Sequence, residues 1–438
     1  MRHAPSPNPT LPPLFPHQHE ALDATLLALT EADRCKVIMA CATGKTRVGL
    51  EVALGQQART VIVYFPSLAL MRQTLPLWIQ ALHRFKGGAA FLCVCSDSTV
   101  TVAQDEALVT TEELRAELHL DNKSVTTDSQ AVTEFLTVAS RHAAVRVVFS
   151  TYQSSSVVRD GCPTGFAFDL GLYDEAHRTA GKESLFSASL HDCHTAIRKR
   201  VFLTATPKHL DYRSRNKKDG ERTVLFSMDN ETLYGRTAYS LQIRQAIQSD
   251  IIANYKVLVS IVDDEMLATS FCHDNPRRLN KESVAHALAI RKSMQQYSIR
   301  KVVTFHDSVA DARKFATDPN IRNELAAETF HVNGSIASAT RTTIMQQFAE
   351  SPTAVVTNAR CLTEGVDVPE IDMVAFLHPK KSKVDIVQAI GRASANDKAL
   401  ARPAISCCQS MLPTWKRAAS TAHWNATDTM PSFRSFRH

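Results

Sequence analysis

The stretch Phe166-Ala-Phe-Asp-Leu-Gly-Leu-Tyr173, followed directly by Asp174-Glu-Ala-His177, decides how this chain is interpreted. Its apolar residues predict a buried strand, and two adjacent carboxylates follow where that strand ends. A charge beside a protein core needs a partner, and a magnesium ion bound to nucleotide phosphates would supply one. A solvated acidic turn is the alternative interpretation, and the upstream sequence argues against it.

That upstream sequence is Met39-Ala-Cys-Ala42-Thr-Gly44-Lys45-Thr46, which lies between an apolar run and a helical pattern. Strand, loop and helix in this order are the context that a phosphate-binding loop requires. Loop N–H groups would cradle phosphates, Lys45 would reach the β and γ phosphates, and Thr46 would ligate Mg²⁺. Asp174 is then the second magnesium ligand, and Glu175 is the predicted general base for an attacking water.

Length and composition indicate an ordinary globular protein of two domains. The 438 residues suit two cores of roughly 200 residues each. Hydrophobic residues make up 44% and charged residues 21% of the chain. Because no apolar run approaches the roughly 20 residues of a membrane span and the N-terminus lacks a signal peptide's apolar core, we expect a cytoplasmic protein.

The cysteines and the net charge limit the classes of site that the sequence supports. The 10 cysteines form no Cys-x-x-Cys pair, so we expect reduced structural thiols rather than a zinc or redox site. The formal charge of +6 is compatible with a nucleic-acid partner but does not require one.

Two blocks of alternating strand and helix patterns predict an α/β fold with parallel sheets. We expect a disordered proline-rich lead-in over residues 1–16, a first domain over 17–228, a linker over 229–255, a second domain over 256–412 and a poorly ordered tail over 413–438. Residues 96–141 interrupt the first block and predict an irregular excursion with one helix. Residues 404–412 predict a final strand of the second domain.

Further motifs, taken in order over roughly residues 14–395, resemble those of the DEAD/DEAH-box group of superfamily 2 helicases. The motifs are Phe15-Pro-His-Gln18, Phe65-Pro-Ser-Leu-Ala-Leu70, Ser150-Thr-Tyr-Gln-Ser154, Thr204-Ala-Thr-Pro207, Thr304-Phe-His306, Thr357–Pro369 and Gln388-Ala-Ile-Gly-Arg392. The resemblance implies two RecA-like lobes in tandem. It also implies an ATP-dependent helicase or translocase that hydrolyses ATP with Mg²⁺ in a cleft between the lobes, with DNA favoured over RNA.

The resemblance also assigns roles to individual residues. Catalytic roles fall to Lys45, Glu175, Gln388 and Arg392. Nucleotide contacts fall to Gln18, Ala42, Thr43, Gly44, Lys45, Thr46, Arg47, Gly365 and Asp367. Nucleic-acid contacts fall to Ser67, Thr151, Gln153, Thr304 and Thr357. Coupling between the ATP site and nucleic-acid movement falls to His177, Thr204 and Thr206.

Within the group, residues 169–255 look most like motor modules of restriction-type and phage- or plasmid-borne bacterial helicases. Two motor lobes use nearly the whole chain, so nuclease or methyltransferase activities of such a system would lie on partner chains. Beyond Ala395 the resemblance fades, and divergence and a frameshifted terminus are both open hypotheses.

Two departures from the family pattern keep a second function open. The family usually has glycine at Ala42, where the loop backbone adopts a positive φ, and alanine there would cost roughly 1–2 kcal/mol. A second arginine of the sixth motif is replaced by Ala395, and loss of an arginine finger can cost on the order of 10³–10⁵ in turnover. A degenerate nucleic-acid-binding scaffold with weak or no ATP turnover is therefore the alternative. An unrelated P-loop enzyme such as a kinase is disfavoured by the second block of motifs.

Overall fold

The computed structural model describes residues 11–95, 111–118, 124–137, 144–182, 185–209, 225–260, 281–336, 338–358, 371–378, 404–409 and 423–425. The chain divides after Gln242 into two compact units. Each unit is built on a mainly parallel sheet with helices, so the predicted α/β fold with two parallel-sheet lobes is confirmed.

The first unit contains ten strands and eight helices among its described residues. The strands are β1 (Arg34–Met39), β2 (Thr60–Phe65), β3 (Ala89–Val94), β4 (Val125–Thr126), β5 (Val145–Thr151), β6 (Phe168–Tyr173), β7 (Gly181–Lys182), β8 (Ile197–Thr204), β9 (Leu225–Phe226) and β10 (Arg236–Leu241). The helices are α1 (Pro16–Glu31), α2 (Lys45–Gly55), α3 (Leu68–Ala81), α4 (Thr111–Glu117), α5 (Ser129–Thr137), α6 (Ser155–Gly161), α7 (Leu185–Ala188) and α8 (Glu231–Tyr234).

The first unit's main sheet is parallel, with strand order β10-β1-β8-β6-β2-β5-β3-β4, and β7 pairs with β9 in a separate antiparallel ribbon. Every residue of β2 is buried, which explains its unbroken apolar sequence: both faces of a central parallel strand are covered. Since all strands of the main sheet run the same way, the segments that follow them meet at one edge.

Two segments of the first unit differ from the sequence-based expectation. The described parts of residues 96–141 contain two helices and a strand rather than one helix. Val132 and Leu136 of α5 are buried in the core, and β4 extends the sheet beside β3. Residues 229–255, expected to form a linker, contain β10, which pairs in parallel with β1.

The second unit is built on a seven-stranded sheet. Its strands are β11 (Tyr255–Ser260), β12 (Lys301–Phe305), β13 (Glu328–Val332), β14 (Ala354–Asn358), β15 (Met373–Phe376), β16 (Ala404–Gln409) and β17 (His423–Asn425). Its helices are α9 (Ile243–Gln248), α10 (Lys281–Tyr297), α11 (Val309–Thr317), α12 (Pro319–Leu325) and α13 (Ser338–Glu350). The strand order is β13-β14-β12-β15-β16-β11-β17, and β17 alone is antiparallel to its neighbour.

The C-terminal region contributes a strand from each of its two described segments. The final strand expected within residues 404–412 is β16, which lies between β15 and β11. The tail, expected to be poorly ordered, contributes β17, because the unpaired backbone groups of edge strand β11 gain hydrogen-bond partners there.

Several predictions concern residues outside the described ranges. They include the disordered lead-in up to residue 10 and the roles of Gly365, Asp367, Gln388, Arg392 and Ala395. No described helix is long and apolar enough to cross a membrane.

Candidate nucleotide-binding site

The predicted phosphate loop connects the end of β1 to the start of α2, which begins at Lys45. Gly44 has a φ of +87° and Ala42 a φ of +63°, so the loop turns through left-handed backbone twice. The positive φ expected at Ala42 is therefore confirmed. The Thr43 hydroxyl donates to the carbonyl oxygen of Ala40 at 2.7 Å and closes the turn.

The first turn of α1 is attached to this loop. The Gln18 side chain accepts from the Phe15 N–H at 3.1 Å and donates to the Thr43 carbonyl oxygen at 3.1 Å. Nε2 of His17, which the sequence analysis did not single out, lies 2.9 Å from the same oxygen. A Cβ atom on Gly44 would lie 2.2 Å from Gln18 Nε2, so glycine is required for this close approach. The structure places Gln18 at the loop, and its adenine contact stays a prediction.

Asp174 and Glu175 lie at the carboxyl end of β6, with only β8 between β6 and β1 in the sheet. The Asp174 side chain is buried, and the side chain of Thr46 interacts with it and lowers the pKa of its carboxyl. The Glu175 N–H donates to Asp174 Oδ1 at 2.9 Å, and Glu175 has a left-handed φ of +46°. The structure therefore brings the predicted phosphate-binding, magnesium-binding and water-activating residues together.

Lys45 and Asp174 are buried, Glu175 is partly buried, and the three charged groups perturb one another. Burial lowers the pKa of Lys45, but Glu175, Cys41 and Asp174 outweigh this effect and leave the pKa raised. Burial and then Glu175 raise the pKa of Asp174 to about 7, against opposing contributions from Lys45 and two hydrogen bonds. Burial alone would raise the pKa of Glu175, yet Lys45 and His177 hold it below its usual value.

This charge balance fits a bound cation. Lys45 stabilises the ionised form of Glu175, whereas Asp174 remains a buried carboxyl with too little positive charge beside it. A divalent ion next to Asp174 would favour its ionised form. The described residues contain no group of three or more His, Cys, Asp and Glu side chains that could hold a metal alone. Thr46 and Asp174 would therefore need phosphate oxygens to complete the coordination.

Two buried oxygens at this site lack hydrogen-bond partners among the described residues: Oε2 of Glu175 and Oγ1 of Thr206. His177 Nδ1 lies 3.3 Å from Glu175 Oε2, close enough for attraction but not aligned as a hydrogen bond. A buried carboxylate oxygen without a donor is suited to accept one from a substrate water. His177 Nδ1 also lies 3.0 Å from the hydroxyl of Thr204.

Arg47, predicted to contact nucleotide, is engaged elsewhere in this structure. Its guanidinium lies 2.9 Å from Glu51 and donates to the carbonyl oxygen of Pro12 at 3.2 Å. Glu51 is also paired with Arg84. A nucleotide contact by Arg47 stays a prediction.

The predicted nucleic-acid contacts of the first unit fall into two groups. Ser67 caps α3 by accepting from the Leu70 N–H at 3.3 Å, and Gln153 donates to the carbonyl oxygen of Pro66 at 3.3 Å. Both side chains are partly exposed. Thr151, in contrast, is fully buried and donates to the Ser154 hydroxyl at 3.1 Å. Its hydroxyl is not available to a phosphate in this structure.

The predicted contacts of the second unit are also buried. The Thr304 hydroxyl lies 3.0 Å from Nε2 of His306, and the Thr357 hydroxyl donates to the carbonyl oxygen of Ala312 at 2.9 Å. Both threonines have no exposed surface. A nucleic-acid contact by these two residues stays a prediction, and it would involve their backbone or a rearranged side chain.

Comparison with known families matches two parts of the chain. Residues 12–209 match the family described as type III restriction enzyme, res subunit, and residues 283–395 match the helicase conserved C-terminal domain. A protein of African swine fever virus (strain Badajoz 1971 Vero-adapted), named as a probable helicase, is 25% identical over 380 residues. The match covers 86% of this chain and 38% of the viral protein.

Two solved structures are similar to most of this chain. The ATP-dependent Type ISP restriction-modification enzyme LlaBIII bound to DNA is 26% identical, with a TM-score of 0.76 over 93% of this chain and 28% of that protein. A nuclease-deletion mutant of the Type ISP enzyme LlaGI, in complex with a DNA substrate mimic, is 25% identical, with a TM-score of 0.61 over 90% of this chain and 27% of that protein. The chain thus spans well under half the length of these relatives.

Proposed function

Because this chain is a motor module of the superfamily 2 helicases, with two RecA-like lobes, we propose that it binds ATP with Mg²⁺ and couples hydrolysis to movement along nucleic acid. One observation carries this proposal: Lys45, at the start of α2, lies close enough to Asp174 and Glu175, at the end of β6, for their charges to interact, and one Glu175 carboxylate oxygen has no hydrogen-bond donor among the described residues.

Each residue has a distinct part in the proposed reaction. The N–H groups at the start of α2 and the Lys45 ammonium hold the phosphates. Thr46 and Asp174 hold Mg²⁺, which, when bound, neutralises charge on the phosphate oxygens. Glu175 accepts a hydrogen bond from the attacking water and orients it. His177, whose Nδ1 atom lies near both the Thr204 hydroxyl and Glu175 Oε2, limits the movement of the Glu175 side chain.

DNA is the polymer that we propose. The two similar solved structures described above are complexes with DNA and with a DNA substrate mimic. Ser67 and Gln153, which are partly exposed beside the end of β2, would contact the phosphate backbone with little reading of bases. If the chain acts in a restriction-type system, partner polypeptides would supply nuclease and methyltransferase activities.

One structural observation favours a second candidate function, a nucleotide-binding scaffold with little turnover. Ala42 has a left-handed backbone conformation, and glycine, Gly44, occupies the other left-handed position of the loop. Strain at this position would weaken the cradle around the phosphates. Ala395 adds to the motivation, because it replaces an arginine that the family uses in the second lobe.

Steady-state ATP hydrolysis with and without single-stranded DNA separates the two candidates. Turnover that DNA stimulates and that Lys45→Ala abolishes would support the motor and eliminate the scaffold. Turnover that is absent in the natural sequence and appears in Ala42→Gly or Ala395→Arg would support the scaffold. Binding of a fluorescent ATP analogue, measured in parallel, shows whether each variant still accepts nucleotide.

A further inference from the structure

The peptide group between Asp174 and Glu175 is held from both sides. Its N–H donates to Asp174 Oδ1 at 2.9 Å, and its carbonyl oxygen accepts from the hydroxyl of Tyr152 at 2.8 Å. Glu175 leaves this peptide with a φ of +46°. Rotation of this one peptide would therefore change the directions of both carboxylates, and the Tyr152 hydroxyl opposes that rotation.

Tyr152 reaches this carbonyl from another strand. It begins a short 3₁₀ turn, Tyr152–Ser154, directly after β5, and β2 lies between β5 and β6 in the sheet. Since neighbouring strands are about 4.8 Å apart, the phenol ring must cross the end of β2 to reach Asp174. The ring is fully buried, stacked on Tyr64 at 5.7 Å between centroids, and 5.3 Å from Phe186. This packing restricts rotation of the ring about its own bonds, so the hydroxyl would move only together with the turn.

The same turn is attached to the segment before α3. Gln153 Nε2 donates to the carbonyl oxygen of Pro66, the residue before Ser67. Oε1 of Gln153 is buried and has no hydrogen-bond partner among the described residues. One three-residue turn thus contacts both the segment that would hold nucleic acid and the peptide that orients the carboxylates.

We propose that Tyr152 is a positioning residue that transmits nucleic-acid binding at Ser67 and Gln153 to the peptide between Asp174 and Glu175. The proposal rests on the function proposed above. A shift of the Tyr152–Ser154 turn when nucleic acid binds would move the hydroxyl and rotate this peptide. The carboxylates would then reach their working orientation only when the polymer is bound. Because coupling of binding is reciprocal, nucleotide would also strengthen nucleic-acid binding.

The test compares Tyr152→Phe with Tyr173→Phe. Tyr173 belongs to the same aromatic cluster, and its hydroxyl donates to the carbonyl oxygen of Ser189 at 2.6 Å. Each substitution removes one buried hydroxyl and leaves one carbonyl without that donor, and Tyr173→Phe also removes an oxygen that accepts from Arg200 Nε at 3.3 Å. The control therefore removes at least as many buried hydrogen bonds as Tyr152→Phe, and thermal melting compares their effects on folding. The measurement is the dissociation constant of a fluorescent ATP analogue with Mg²⁺, with and without a single-stranded DNA oligonucleotide. The ratio of the two constants is the coupling factor.

We expect a coupling factor on the order of 5 to 150 in the natural sequence and in Tyr173→Phe, and a factor near one in Tyr152→Phe. Affinity for nucleotide without DNA should change less than about threefold, because the hydroxyl does not reach the phosphate loop. Equal loss of coupling in both variants, retained coupling in Tyr152→Phe, or a factor of one in the natural sequence would each overturn the proposal.

Two further results keep this test separate from that of the proposed function. If DNA strengthens nucleotide binding in the natural sequence and Tyr152→Phe abolishes this effect, but the chain does not hydrolyse ATP, the motor function is rejected and the role of Tyr152 is still supported. If Tyr152→Phe does not fold, hydrogen exchange in the natural sequence replaces it. DNA should then change protection of the Tyr152–Ser154 and Asp174–His177 segments together and leave Thr111–Glu117, which is hydrogen-bonded to edge strand β4, unchanged. No change at Asp174–His177 would count against the proposal.

Discussion

The Nδ1 atom of His177 lies 3.0 Å from the hydroxyl oxygen of Thr204. This contact joins the acidic motif after β6 to the end of β8. The Thr204 hydroxyl also accepts from the N–H of Thr206 at 3.2 Å, so it fixes the first turn of the segment that follows β8. Movement of that segment is therefore mechanically linked to the histidine beside Glu175.

Thr204→Val should separate ATP hydrolysis from work on DNA. Valine keeps the shape of the side chain but removes the oxygen that His177 and Thr206 share. We expect strand displacement or translocation to fall about 2- to 30-fold, with a smaller change in ATP turnover. Thr25→Val, which removes a buried hydroxyl bonded within α1, is the control for folding. A parallel fall of both activities in Thr204→Val would rule out a coupling role.

Gly44→Ala should weaken nucleotide binding for a local steric reason. The new Cβ would lie 2.2 Å from Gln18 Nε2 and would displace the Gln18 amide from the Thr43 carbonyl oxygen. Gly165→Ala is a matched control, because its φ of +77° carries a similar backbone penalty while a Cβ there meets nothing within 4 Å. Both variants should lose stability, but only Gly44→Ala should raise the dissociation constant of ATP by about tenfold or more. Similar ATP affinities in Gly44→Ala and Gly165→Ala would show that Gln18 can move without weakening nucleotide binding.

Ala42→Gly should stabilise the chain. Glycine adopts a φ of +63° without the Cβ penalty, so the relief is about 1 kcal/mol, or about 2–4 °C in melting temperature. Ala53→Gly, in the buried interior of α2, is the control and should lower the melting temperature. Calorimetry and nucleotide binding measure the effects. A lower melting temperature for Ala42→Gly would mean that the alanine methyl contributes packing that outweighs the strain.

The sequence was sufficient to predict those site residues whose positions follow from the direction of the strands that precede them. Lys45 follows β1 and Asp174 follows β6, and parallel strands bring such segments to one edge of the sheet. The bond from Tyr152 to Asp174 could not be predicted in this way. It depends on β2 lying between β5 and β6, and strand order is a property of the whole fold.

The other differences between the sequence-based expectations and the structure also depend on how the whole fold is arranged. A strand such as β2 can be located from sequence, because a strand that is covered on both faces has a continuous apolar sequence. The short strands β4 and β17 have no such pattern and form only because an edge strand offers free backbone groups. The burial of the Thr151, Thr304 and Thr357 side chains could not be predicted from their motifs. Successive side chains of a strand point to opposite faces, and a motif alone does not show which face is covered.

Glu175→Gln should leave nucleotide binding intact and slow hydrolysis. Glutamine keeps the size of the side chain but cannot accept a proton from the attacking water. We expect turnover to fall about 10²- to 10⁴-fold, the usual contribution of a general base. Single-turnover hydrolysis and equilibrium binding of ATP measure the two effects separately. Unchanged single-turnover hydrolysis would mean that Glu175 does not act on the water.

The second unit should lose stability in mild acid because of two buried histidines. Burial lowers the pKa of His306 to about 3 and that of His286 to about 4, and the neighbouring His378 contributes at both. Folded chains keep these rings neutral, whereas the unfolded chain binds protons near pH 6.5. Their stabilising effect is therefore complete above about pH 6.5 and is lost as the pH falls toward 4 and 3. At pH 5 each histidine should cost about 2 kcal/mol of unfolding free energy.

Replacement of His306 by glutamine isolates its share of this pH dependence. Glutamine has no titrating group, and its amide can keep a hydrogen bond to Thr304, which lies 3.0 Å from His306 Nε2. Urea unfolding of the second unit gives its unfolding free energy at pH 7.5 and at pH 5.0. The decrease in this free energy between the two pH values should be smaller by about 2 kcal/mol in His306→Gln than in the natural sequence. The exposed His19→Gln is the control and should leave the difference unchanged. An equal difference in all three chains would mean that His306 accepts a proton in the folded state, through local opening at the end of β12.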